Sequence, residues 1–103
     1  LAPDSPHLLT VLGQLETTAG RHTEAQTALD LAVETAPDLP AAWGNRGVLR
    51  YAMGDLEGSV ADLTRAIELQ PQADLYANRA VALRALGRTA EATADDHHAT
   101  RLA

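Results

Sequence analysis

Cysteine, lysine and phenylalanine are absent from this sequence of 103 residues. Without cysteine the chain can form no disulfide, no thiol nucleophile and no cysteine-ligated zinc site. A chain without cysteine also fits a reducing compartment, and we therefore predict a cytoplasmic location.

Basic charge is scarce: eight arginines stand against 14 acidic residues, and the formal net charge is −6. Proteins that bind nucleic acid or anionic membranes need clustered cations, and the sequence has no such cluster. Apolar stretches are interrupted every few residues by a charge or a glycine, so no segment is long enough to span a bilayer. We therefore predict no nucleic-acid partner and no membrane partner.

The sequence is instead rich in small and aliphatic residues, with 21 alanines and 16 leucines. Valine and isoleucine are few, which argues against a β-sheet. A core of alanine and leucine needs closely packed helices. Arginine in place of lysine, with abundant alanine, glycine and threonine, is typical of a GC-rich coding genome and predicts a bacterial source.

The order of glycine and proline residues repeats along the chain. Gly20, Gly54 and Gly87 stand at almost equal intervals. The other repeated elements are Pro37 with Pro71, and residues 43–48 with residues 76–81. These registers agree with one another and divide the chain into three units, at about 6–39, 40–72 and 73–103.

Each unit is predicted to form two helices that reverse direction at the repeated glycine. Ser5 and Pro6 are typical of a helix N-cap and first helical position, and glycine readily adopts the left-handed conformation that ends a helix. An all-α fold follows from this pattern. The six antiparallel helices are predicted at about 6–18, 22–36, 40–53, 56–70, 73–86 and 89–101.

The second unit carries a distinctive set of residues, Trp43, Gly47, Leu63, Ala66 and Pro71. With this set the repeat resembles the tetratricopeptide repeat family, whose pattern is Trp-x2-Leu-Gly-x2-Tyr, then Ala-x3-Phe, then Ala and a closing Pro. Arg46 departs from the Leu of that pattern, and Ser59 replaces its first Ala. The resemblance implies a right-handed α-solenoid of three helix-turn-helix repeats, forming one domain over residues 1–103.

The resemblance also implies that the first helices of the units line a concave groove. Asn45 and Asn78 occupy the same position of adjacent units there, and Val11 occupies it in the first unit. A side-chain amide can both donate to and accept from a peptide backbone. The alternative is that these amides are solvated or bond within the helix pair. The candidate peptide-binding residues are Gln14, Asn45, Val48, Tyr51, Asn78, Val81 and Arg84.

Some members of the family bind the C-terminal tails of chaperones through a carboxylate clamp of lysine, asparagine and arginine side chains. Only Asn45 matches that clamp in this sequence, because its other positions hold Thr10, Gln14, Asp74 and Asn78. The resemblance therefore implies that the clamp is absent, and we do not expect heat-shock chaperone tails as ligands.

Arginine stands in the leucine position of two units, at Arg46 and Arg79. Two aligned guanidinium groups could bind an acidic partner. The favoured interpretation is that their stems pack while their heads reach water or pair with a nearby carboxylate. Arg84, on the groove face, is the better candidate for contacting a carboxylate of a ligand.

The segment 95–98, Asp-Asp-His-His, is the one cluster with metal-ligand chemistry. On a helix Asp95 and His98 share a face, but a zinc site needs three or four ligands, so no metal and no cofactor are predicted. Asp96 also takes the position of Leu29 and Leu63 in the earlier units. A solenoid ends in a polar cap, so Asp95, Asp96 and His97 are predicted to be exposed, with no fourth unit stacked there.

No phosphate-binding loop or nucleophile motif occurs in the sequence, and we predict no enzymatic activity. The predicted function is a protein–protein interaction module that binds a peptide or protein segment in the concave groove. The alternative is a structural spacer or self-association scaffold within a larger protein, with weak homo-oligomerisation. A start at Leu1 without Met is the reason to expect such a larger protein. The identity of the partner is not indicated by any residue pattern.

Overall fold

A computed structural model describes residues 5–103, and all of the secondary structure in that range is helical. Each helix boundary lies within one residue of its predicted position, so the all-α prediction is confirmed. No helix in the described range is long and apolar enough to cross a membrane. The helices are α1 (Pro6–Thr18), α2 (His22–Thr35), α3 (Pro40–Ala52), α4 (Leu56–Leu69), α5 (Ala73–Ala85) and α6 (Thr89–Leu102).

The helix reversals follow from local chemistry at the turns. Gly20, Gly54 and Gly87 have φ values of 80°, 85° and 80°, a backbone region that is costly for residues with a Cβ. Asp55 caps α4, because its side chain accepts a hydrogen bond of 2.9 Å from the backbone N–H of Gly58. Three helical hairpins therefore form from signals within each unit.

Neighbouring hairpins stack with the second helix of one hairpin against the first helix of the next. Helix α3 packs between α2 and α4, and α5 packs between α4 and α6. The principal extents of the stack are 44 × 25 × 19 Å. The buried residues where α1, α2 and α3 meet include Leu9, Ala32, Val33 and Ala42. Those at the α4–α5 junction are Leu63, Ala66, Ile67 and Leu75.

The prediction for the last helix is wrong at Asp95. This residue is only 3% exposed, and its carboxylate pairs with the guanidinium of Arg79. Asp95 lies one residue before the position of Leu29 and Leu63, and there it faces α5 rather than the end of the stack. Asp96 is half-buried and pairs with Arg84, while His97 is exposed as predicted.

Candidate functional site

Four of the predicted binding residues lie together between α3 and α5. Three of them, Val48, Tyr51 and Val81, are exposed apolar residues, with exposures of 39%, 42% and 47%. They surround a cavity of about 130 Å³. We call this cavity the groove pocket. Its lining residues are Val48, Tyr51, Ser59, Leu63, Asn78 and Val81.

The two asparagines differ in what their amides can do. Asn45 is half-buried, and its Nδ2 donates to the backbone carbonyl of Thr10 in α1 at 3.4 Å. Asn78 is exposed, and its side chain forms no hydrogen bond with any other residue in the range 5–103. The whole amide of Asn78 is therefore free to bind a ligand, whereas one N–H of the Asn45 amide is already engaged.

Ser59 contributes an unusual polar group beside the groove pocket. The residue is 0% exposed, and its Oγ has no hydrogen-bond partner among the described residues. Buried hydroxyl groups normally have a partner. The repeat pattern identifies Ser59 only as a replacement for a packing alanine, and no sequence signal shows that its hydroxyl lacks a partner.

The remaining candidates, Gln14 and Arg84, do not line the groove pocket. Gln14 is exposed on α1. Arg84 donates from Nη2 to the carboxylate of Asp96 within the same unit. The guanidinium predicted to contact a ligand carboxylate is thus already paired with an internal one.

Arg46 and Arg79 form internal ion pairs, which confirms the favoured interpretation. Arg46 donates from Nε and Nη2 to both carboxylate oxygens of Asp62, at 2.8 and 3.0 Å. Arg79 binds Asp95 in the same two-pronged geometry, at 2.8 and 2.7 Å. These hydrogen bonds raise the pKa of both guanidinium groups. Neither arginine is available to an acidic partner.

Arg46 and Arg79 also connect neighbouring units. The Nη1 of Arg46 reaches Asp30 of α2 at 3.2 Å, and the Nη1 of Arg79 reaches the Oγ1 of Thr64 in α4 at 3.1 Å. Because each guanidinium binds its own unit and the preceding one, these side chains fix the register between units.

Three of the acidic and histidine residues of α6 contact other side chains of the protein. Asp95 is bound to Arg79, and the ring of His98 stacks on Tyr76 with centroids 4.9 Å apart. Beside them, Glu91 accepts from Arg88 at 2.8 Å, which lowers the pKa of Glu91. Within residues 5–103, no group of three or more His, Asp or Glu side chains is placed to hold a metal ion.

Residues 40–72, the second unit, match the family model of the tetratricopeptide repeat. No curated protein matches the chain in sequence. Among solved structures, "MamA MSR-1 C2" is 22% identical with a TM-score of 0.85 and is matched over 98% of this chain and 59% of its own length. This chain therefore spans less than two thirds of that protein.

A second solved structure, "First TPR of Spaghetti (RPAP3) bound to HSP90 peptide SRMEEVD", is 21% identical with a TM-score of 0.90. The match covers 94% of this chain and 78% of that one. A third, "MamA R50E mutant", is 23% identical with a TM-score of 0.86, over 99% and 75% of the two chains. At these identities the similarity shows a shared fold.

Proposed function

Residues 40–72 form a tetratricopeptide repeat within a chain that has the fold of tetratricopeptide-repeat proteins, and from this premise we propose that the chain binds an extended peptide segment across the groove pocket. The observation that carries this proposal is the combination of exposed apolar side chains with the unengaged amide of Asn78 at one cavity. Apolar side chains with a few convergent polar groups are the usual lining of a ligand site.

The lining of the groove pocket defines what each residue would contribute. The amide of Asn78 would donate to and accept from one backbone unit of the peptide. Val48, Tyr51 and Val81 would cover one apolar side chain of the ligand, since an apolar cavity of this size class accommodates a molecule as large as benzene.

The charge of the chain favours a neutral or basic ligand segment. The net charge is −6, and Arg84 beside the groove is paired with Asp96. The Spaghetti structure holds an HSP90 peptide. In this chain the carboxylate-clamp positions hold Thr10, Gln14 and Asp74 in place of the clamp residues, so we do not propose an acidic chaperone tail as the ligand.

The experiment selects ligands from a random peptide library displayed on phage and titrates the selected peptides by calorimetry. We expect Asn78→Ala to weaken binding by about 1–3 kcal/mol, or about 5- to 150-fold in Kd, because a desolvated backbone group loses its partner. Asn45→Ala is the matched control and should have a smaller effect, since Asn45 is half-buried, does not line the groove pocket and donates one N–H to Thr10.

Equal loss from both asparagine variants would instead indicate that both amides bind the peptide, as predicted from the sequence. No loss from Asn78→Ala in any selected peptide would contradict the proposed site.

The cytoplasmic location and bacterial source stay predictions. The alternative role, a structural or scaffold module, is favoured by a separate observation, the exposed leucines of α1.

A further inference from the structure

A second cavity lies beside the groove pocket, where α3 and α5 begin. Its volume is about 100 Å³, and its lining includes Ala41, Gly44 and Asn45 of α3. On the side of α5 it is lined by Asp74 and by Gln72, the N-cap residue of that helix. We call this cavity the acidic pocket. Neither the acidic pocket nor the groove pocket has an arginine in its lining.

The two cavities follow one another along the same channel. Residues 41, 45 and 48 of α3 are spaced so that they share one side of the helix, and so are residues 74, 78 and 81 of α5. The pairs at equal repeat positions are Ala41 with Asp74, Asn45 with Asn78, and Val48 with Val81. The channel between α3 and α5 therefore changes from acidic, through amide, to apolar in the direction of both helices.

Asp74 supplies the negative charge of the acidic pocket. It is exposed, and within residues 5–103 its carboxylate forms no ion pair. A carboxylate in the first turn of a helix is stabilised by the helix dipole, but that role needs no cavity beside it. The side-chain amides of Asn45 and Gln72 add neutral acceptors. Because Nδ2 of Asn45 is directed to Thr10 of α1, its Oδ1 is left for a donor in the acidic pocket.

We propose that the acidic pocket is a specificity site of the groove, which binds the ammonium or guanidinium group of a lysine or arginine in the peptide. The proposal rests on the peptide binding proposed above, in which the groove pocket holds an apolar side chain of the same peptide. The charge is set by Asp74, and the formal net charge of −6 favours the approach of such a ligand.

The spacing between the two cavities defines the position of the basic residue. Asp74 precedes Asn78 by four residues and Val81 by seven, which is about 6 Å and about 10 Å along α5. An extended peptide advances about 3.3 Å per residue, and its side chains alternate between two sides. A residue two positions from the apolar one therefore faces the same side, about 7 Å away, and the long stem of lysine or arginine spans the remaining distance. The residue between them faces away from the groove.

The test uses the phage-selected peptides and measures a double-mutant cycle between protein and peptide by calorimetry. We expect the selection to enrich lysine and arginine over aspartate and glutamate two positions from the apolar residue. Changing that basic residue to glutamine should raise Kd for the wild-type protein by about two- to fivefold, the range for an exposed ion pair. The same peptide change should leave Kd for Asp74→Asn unaltered, and the effect on the wild type should shrink as salt is added.

Glu34→Gln is the matched control, because it removes the same charge from an exposed position on α2 outside both cavities. It should leave the response to the peptide change intact, and Asp74→Arg should bind the peptide better when its basic residue is replaced by glutamate. An equal response of the wild type and Asp74→Asn to the peptide change would overturn the acidic pocket, and so would peptides that show no enrichment of basic residues but are weakened by Asn78→Ala. Peptides that are not weakened by Asn78→Ala would contradict the proposed function itself.

Discussion

Asp62→Ala is expected to lower the free energy of unfolding by about 2–3 kcal/mol. The side chain of Asp62 is only 4% exposed, and that of its partner Arg46 is 15% exposed. Removing the carboxylate leaves a largely buried guanidinium without its main partner, and a buried charge that loses its partner is strongly destabilising. The remaining contact of Arg46 with the half-exposed Asp30 keeps the loss smaller than for a fully isolated charge. Urea unfolding monitored by the fluorescence of Trp43 measures it.

The first unit supplies a rescue for this variant. It holds Leu12 and Ala28 at the positions of Arg46 and Asp62, so the same fold tolerates an apolar pair there. The double variant Arg46→Leu with Asp62→Ala should return to within about 1 kcal/mol of the wild-type stability, because replacing a buried ion pair by apolar residues is often neutral. A double variant that is no more stable than Asp62→Ala alone would contradict this expectation. It would show that Arg46 stabilises the protein mainly through its contact with Asp30 of the preceding unit.

The helices and turns could be predicted because their signals are local. Each glycine turn requires a positive φ, and Gly20, Gly54 and Gly87 recur with the period of the units. The burial of Asp95 could also have been predicted from the repeat register. Asp95 follows Arg79 by 16 residues, just as Asp62 follows Arg46, so each carboxylate lies beside the arginine of its own unit.

The groove was predictable only in part. The repeat register brings Val48, Val81 and Asn78 to one surface, and the structure places them at one cavity. The bond from Asn45 to Thr10 depends on how closely α1 approaches α3, and no sequence pattern reports that distance. The unpartnered Oγ of Ser59 depends equally on the packing between hairpins.

Gly13→Ala is expected to cost about 1–3 kcal/mol, the range for overpacking in a well-packed core. A Cβ at Gly13 would overlap Cγ and Cδ2 of Leu29 and lie 3.0 Å from its Cδ1. Leu29 is 0% exposed, so its side chain has no solvent space into which it can move. The second unit has the same design, since a Cβ at Gly47 would lie 2.8 Å from Cγ of Leu63.

The loss of stability in Gly13→Ala should come only from overlap with the Leu29 side chain. A double-mutant cycle of Gly13→Ala with Leu29→Ala tests this. Leu29→Ala by itself should cost about 2–5 kcal/mol, because it leaves a cavity. Adding Gly13→Ala to Leu29→Ala should cost nothing more, since the overlapping side chain is gone and alanine is the better helix former. Additive losses would show that the backbone of α2, rather than the Leu29 side chain, limits the space at Gly13.

The third unit provides the matched control for this cycle. The position of Gly13 and Gly47 holds Ala80 there, and the position of Leu29 holds Asp96, whose carboxylate is directed to Arg84. Because no leucine occupies the position opposite Ala80, Ala80→Gly should destabilise the chain by about 1–2 kcal/mol, through the conformational entropy of glycine and the loss of a buried methyl group. Alanine is thus more stable than glycine at this position of the third unit and less stable at this position of the first unit. The residue opposite decides which of the two is favoured. Thermal unfolding of the two variants measures both effects, and a stabilising Ala80→Gly would contradict this explanation.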